Sequence, residues 1–166
     1  MNRTACLSAA LVLTLAACAE PADEASTAEA PAAMAQVADA DLPNVLVFKS
    51  PTCLCCNGWI EHMEAAGFTV DARDTRDVMS VKIDAGVPTA MSSCHTAIID
   101  GYVVEGHVPP ATVRRMLAER PEIAGIGVPG MPIGSPGMEG PNPQPYEVFS
   151  FDRQGGTAVY AEIDPR

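Results

Sequence analysis

Positive charge is scarce. Ten Lys and Arg stand against 21 Asp and Glu, which gives a formal net charge of −11 and a pI near 4.5. Such a chain repels a phosphate backbone, so nucleic acid is excluded as a natural partner. Aromatic residues are few, with one Trp and four Phe, so any core must be aliphatic. The apolar stretch Leu7–Leu15 is too short to span a bilayer comfortably. Residues 19–43 contain no Lys or Arg and are rich in Ala, Pro, Glu and Asp. A stretch of that composition cannot bury enough apolar surface to offset its ordering entropy, and it reads as a disordered acidic tether. There is no internal repeat, and 166 residues allow one modest domain, here 44–166. Pro and Gly are plentiful, at 15 and 13, so long loops are expected.

The N-terminus reads as a targeting segment over residues 1–18. Arg3 supplies its positive end, and Leu7–Leu15 its apolar centre. Leu15-Ala16-Ala17-Cys18 resembles a bacterial lipobox, which would make Cys18 the lipidated first residue of the mature protein. The alternative is an ordinary cleaved signal with an incidental Cys. Ala19, and not Asp, follows Cys18, so the usual sorting rule places the anchor in the outer membrane. The acyl chains would hold the protein on the periplasmic side without spanning. Of six Cys, removing Cys6 and Cys18 leaves Cys53, Cys55, Cys56 and Cys94. Four thiols allow three fully paired patterns, and in an oxidising compartment they need either pairing or metal.

The chemistry concentrates in Lys49-Ser50-Pro51-Thr52-Cys53-Leu54-Cys55-Cys56-Asn57-Gly58-Trp59. A buried strand over Val45–Phe48 leads in, and a helix from about Cys55 to Ala66, ended by Gly67, leads out. Cys53 and Cys56 have C-x-x-C spacing at a helix start, where thiol pKa values fall, and Cys55 adds a third sulfur. A plain structural disulfide would need only two.

Phe68–Ala72 reads as a second strand, and a second helix, capped by Asp74 or Thr75, runs to about Ala85. Thr96–Ile99 and Tyr102–Glu105 flank the hairpin dipeptide Asp100-Gly101. A last helix begins at Pro110 and runs to about Arg120, with Val113, Met116 and Leu117 inward and Arg114, Arg115 and Glu119 outward. Residues 121–145 read as a long Gly/Pro/Met loop, and Tyr146–Phe151 with Thr157–Ile163 as a C-terminal hairpin. The order β-α-β-α-β-β-α is that of a thioredoxin-like, three-layer α/β fold. In that fold the segment Ser92-Ser93-Cys94-His95 faces the C-x-x-C, which brings Cys94 to the other three thiols. In the competing register Val87-Pro88 faces them, and Cys94 lies about 20 Å further along.

Five motifs then occur in one order: Lys49-Ser50-Pro51-Thr52-Cys53 with Cys55-Cys56; Gly86-Val87-Pro88; Ser93-Cys94-His95-Thr96-Ala97; Gly101-Tyr102 with Glu105-Gly106-His107-Val108-Pro109; and Val128-Pro129-Gly130-Met131-Pro132 with Gly134-Ser135-Pro136-Gly137-Met138-Glu139. Over roughly Val45–Phe151 the chain resembles a metal-binding domain-of-unknown-function family of bacterial periplasmic proteins, the copper-resistance proteins of CopG type. The resemblance implies a thioredoxin-like domain that handles copper through Cys53, Cys55, Cys56 and Cys94. Leu54 stands where that family usually has Gly.

Thiolate and thioether donors select Cu(I), and a Zn site of four Cys is the competing metal reading. Adjacent Cys55 and Cys56 are expected to diverge, which disfavours one tetrahedral ion and suits a multinuclear Cu(I)–thiolate cluster. His95, His107, Met131 and Met138 complete the candidate metal set, Met131 and Met138 as a lid. His62 lies about 10 Å along the helix from Cys55 and belongs to a second site or to the surface. The reading is a lipid-anchored periplasmic protein that holds Cu(I) for copper resistance and meets other copper-handling proteins. The alternative is a thiol–disulfide oxidoreductase with Cys53 as nucleophile and Cys56 as resolving thiol.

Overall fold

The apolar run at 45–48 forms β1 (Val45–Lys49), an inner strand of the sheet on which the site is built. The computed structural model describes residues 42–166. The signal segment with Cys18, and all but the last two residues of the tether, lie outside the described residues. After β1 come α1 (Leu54–Ala65), β2 (Val70–Asp74), α2 (Val78–Asp84), a 3-10 turn at Thr89–Met91, β3 (His95–Ile99), β4 (Tyr102–Glu105), α3 (Pro110–Glu119), β5 (Gly125–Gly127), β6 (Tyr146–Phe151) and β7 (Thr157–Ile163). The chain is a mixed α/β protein with one seven-stranded sheet in the order β2-β1-β3-β4-β5-β6-β7. β1 runs parallel to β2 and antiparallel to β3; β3 and β4 form the hairpin; β4 and β5 are parallel.

Local chemistry explains most of these elements. Asp100 and Gly101 both have positive φ, 49° and 84°, the backbone that a two-residue hairpin turn demands. Gly67, at φ 89°, ends α1. Four expectations are corrected. β2 begins two residues late, because Phe68 turns into the core directly after Gly67. The cap of α2 is Asp77, whose carboxylate accepts from Ser80 N–H at 3.0 Å; Asp74 is taken by Lys49 at 2.8 Å, and Thr75 accepts from Asp77 N–H. Arg114 does not face water: it is half-buried, donates to the Ala66 carbonyl and lies over Phe68. The stretch 121–145 is not all loop, since β5 forms within it, paired between β4 and β6.

The strands alternate faces as the pleat requires. Val45, Val47, Ala97, Ile99 and Val104 meet Trp59 and Met63 of α1 and Val113 and Met116 of α3 in the main aliphatic core. The opposite face carries α2, with Lys82 against Thr96 and Glu105, and a smaller cluster of Met91, Val103 and Phe151. The first face therefore sets where α1 begins, and with it the cysteines.

Candidate metal centre

Cys53 is the N-cap of α1, and Cys55 and Cys56 lie in its first turn, where no acidic residue opposes a thiolate. Cys53 and Cys56 are joined in a disulfide; Cys55 is free, with its sulfur 3.4 Å from that of Cys53. Cys56 is buried, Cys55 is partly exposed, and Leu54, between Cys53 and Cys55, stands 81% exposed. Trp59 anchors this end of the helix by donating from Nε1 to the Val108 carbonyl at 2.8 Å.

The facing wall is the segment before β3. Cys94, also free, projects toward α1, and the sulfurs of Cys53, Cys55, Cys56 and Cys94 lie within 4.8 Å of one another. The hairpin register that brings Cys94 to the C-x-x-C is the one observed. The divergence expected of Cys55 and Cys56 is corrected: both sulfurs join the cluster. Side chains of a helix lean toward its N-terminus, so those of the first turn rise over the helix start instead of spreading around it.

A second group shares Cys94. Ligand atoms of Cys94, His95 and His107 also lie within 4.8 Å of one another. His107 Nδ1 faces the Pro136 carbonyl at 2.8 Å, and a carbonyl only accepts. The proton therefore sits on Nδ1, and the Nε2 lone pair points at Cys94 Sγ, 2.9 Å away. His95 is buried between Trp59 and His107, with Nδ1 3.5 Å from Cys94 Sγ. Its Nε2 is buried with no hydrogen-bond partner among the described residues.

The loop after β5 closes over the helix start. Gly137, at φ 81°, lies so near α1 that a Cβ would come within 2.5 Å of the Cys55 carbonyl and of Trp59 N. Met131, half-exposed, places its thioether 4.0 Å from Cys55 Sγ. Met138 is half-buried further along, its backbone bonded to Ser135 and Gly134; of the two methionines, Met131 is the one whose sulfur meets a cysteine. His62 is an exposed surface residue, paired with Glu139 of the same loop at 2.6 Å.

Burial sets the protonation. It pushes the Cys94 thiol up to about 12, with help from neighbouring Cys55. Burial also lowers His107, against the opposing Pro136 carbonyl. His95 is held well below the usual imidazole range by burial, then by His107 and Lys82. Cys94 and His107 thus meet as neutral thiol and neutral imidazole, not as the ion pair that activates a nucleophilic cysteine.

Comparison with known proteins matches residues 91–138 to a family described as a protein of unknown function, DUF411. No curated protein matches the chain. Among solved structures, form 2 of a copper resistance protein copG is 44% identical, with a TM-score of 0.70, over 74% of this chain and 99% of that one. Form 1 is 45% identical, with a TM-score of 0.69, over 74% of this chain and 98% of that one. The chain belongs to the DUF411 family.

The DUF411 match covers Cys94, His95, His107, Met131 and Met138, but not the helix-start cysteines. Those are joined to it by the fold, across the β1–β3 pairing that sets Lys49 opposite His95. Once the disulfide is reduced, this DUF411 site offers four sulfurs, two imidazoles and a thioether, a donor set suited to a soft metal ion. His95 turns Nδ1 to that set, 3.5 Å from Cys94 Sγ, and a neutral imidazole can give that nitrogen's lone pair to a metal while Nε2 keeps the proton. Sequence reasoning missed Glu105 and Lys82, which are buried and bonded to each other at 2.5 Å. The available signal was a lone carboxylate ending the apolar strand Tyr102-Val103-Val104, and a lone Lys in the otherwise apolar Val81-Lys82-Ile83.

Proposed function

We propose that this protein binds copper as Cu(I) in the cysteine cluster at the start of α1, and that it serves copper resistance as a periplasmic protein anchored through lipid on Cys18. The observation that carries the reading is the convergence of four sulfurs within 4.8 Å, with Met131 beside Cys55. The name of the solved relatives, copper resistance protein, supports copper over zinc as the metal. Cys53, Cys55, Cys56 and Cys94 are the proposed ligands, with His107 and His95 completing them around Cys94. Shared sulfurs favour a multinuclear site, since Cys94 belongs to both groups of candidate ligands. The strand order β2-β1-β3-β4, with β3 antiparallel to its neighbours, supports a thioredoxin-like core, to which β5, β6 and β7 are an addition.

The test is competition of the reduced protein with a Cu(I) chelator. More than one Cu(I) per chain is expected, with most of it lost on Cys53→Ser or Cys56→Ser. One copper per chain would refute the cluster, and preferential retention of Zn would refute the choice of metal. A redox role is the second reading, and the Cys53–Cys56 disulfide favours it. Two electrons and two protons convert that disulfide to two thiols, so loading with metal depends on prior reduction.

A further inference from the structure

We propose that Glu105 is the positioning residue of this centre: its buried carboxylate clamps both ends of the Cys94-His95 segment and so sets Cys94 opposite the helix-start cysteines. The inference rests on the copper reading for what is positioned, but its geometry stands apart from it. Glu105 Oε1 accepts from Ser93 N–H, immediately before Cys94, at 2.6 Å. Its Oε2 accepts from Thr96 Oγ1, immediately after His95, at 2.7 Å. Lys82 Nζ, reaching in from α2, donates to Oε1 at 2.5 Å and to Thr96 Oγ1 at 3.1 Å. Every partner except Ser93 is buried, and Glu105 is fully so. The clamp continues along the chain: Gly106 N–H donates to the His95 carbonyl at 3.0 Å, and a Cβ on Gly106 would overlap Ser93. Gly106 leads directly to His107, so one carboxylate orders three of the candidate ligands.

Stability alone does not account for the pair. Two buried charges replaced by apolar groups of similar size commonly leave a protein as stable or more so. What an apolar replacement cannot supply is an acceptor for Ser93 N–H.

Two double variants separate these roles. Lys82→Met with Glu105→Gln removes both charges but keeps an amide oxygen for Ser93 N–H. Lys82→Met with Glu105→Leu removes the acceptor as well. Cu(I) affinity is read by chelator competition, and the position of Cys94 by its alkylation rate in metal-free protein, resolved peptide by peptide by mass spectrometry. The Gln variant is expected within about threefold of the parent in both. The Leu variant is expected to lose at least about tenfold in affinity and to alkylate at Cys94 at least about tenfold faster, because the half-buried thiol leaves its seat. A folded Leu variant matching the parent overturns the proposal, as does a folded Gln variant as impaired as the Leu variant. If the Leu variant does not fold, Ser93→Pro removes the same N–H from the other side. Ser92, at ψ 131°, already has the backbone that precedes proline. It must give the same two changes; a Ser93→Pro protein with neither overturns the clamp. If the parent itself retains no copper, the copper reading falls, while the alkylation contrast still decides the clamp.

Discussion

Replacing Cys94 with Ser isolates one wall of the site. Cys94 contributes one of four clustered sulfurs, and it is the one that reaches the imidazoles as well, with His107 Nε2 at 2.9 Å and His95 Nδ1 at 3.5 Å. A serine hydroxyl keeps a donor for His107, so the local fold survives, and Tm should move by no more than about 4 °C. The hydroxyl is a hard, weakly acidic oxygen and a poor ligand for Cu(I). Affinity, measured against a chromophoric Cu(I) chelator, should fall at least tenfold, about 1.4 kcal/mol. The disulfide chemistry of Cys53 and Cys56 needs no Cys94, so insulin reduction by the variant is the counter-assay. Unchanged Cu(I) affinity and stoichiometry in a folded Cys94→Ser protein would refute the reasoning and leave Cys94 a partly buried thiol.

Further outcomes follow from the same geometry. With the Cys94 thiol near 12, it is protonated at neutral pH, so bound Cu(I) must displace its proton; His95 and His107, both lowered, release none. Apparent affinity should therefore fall as pH falls, about tenfold per unit for each thiol proton displaced, and titration in weak buffer should detect the released protons. Gly137→Ala forces a Cβ onto the Cys55 carbonyl and Trp59 N at φ 81°; it should cost about 2 kcal/mol in urea unfolding and increase Cys55 alkylation as the loop lifts. Cys18→Ala should move the protein out of the membrane fraction or block its processing; unchanged partitioning would remove the lipid anchor.

The elements that could be read before folding are those with local causes. Asp100-Gly101 dictates its own turn, Gly67 ends its own helix, and the apolar run at 45–48 has nowhere to go but an inner strand. The site cysteines were legible because three of them crowd one helix start. β5 was not, since Gly125-Ile126-Gly127 has little strand character and becomes a strand only between β4 and β6. The cap of α2 was misread because Asp74 had a better partner, Lys49, 25 residues away.

What the amino-acid order by itself determined is the chemistry available: soft sulfur donors at a helix start, a fourth in the segment before a hairpin, and a Gly/Pro/Met loop. Tertiary structure decided which of them meet. It set His107 against Cys94 through the Pro136 carbonyl, kept Met131 and not Met138 at a cysteine, and sent His62 to the surface. It also turned Lys82 and Glu105, two residues whose charge alone assigns them to water, into the buried support of the Cys94 segment. Charge and periodicity are properties of one segment, whereas burial of a charge depends on a partner from another, and that partner exists only once the sheet has brought α2 over β3 and β4.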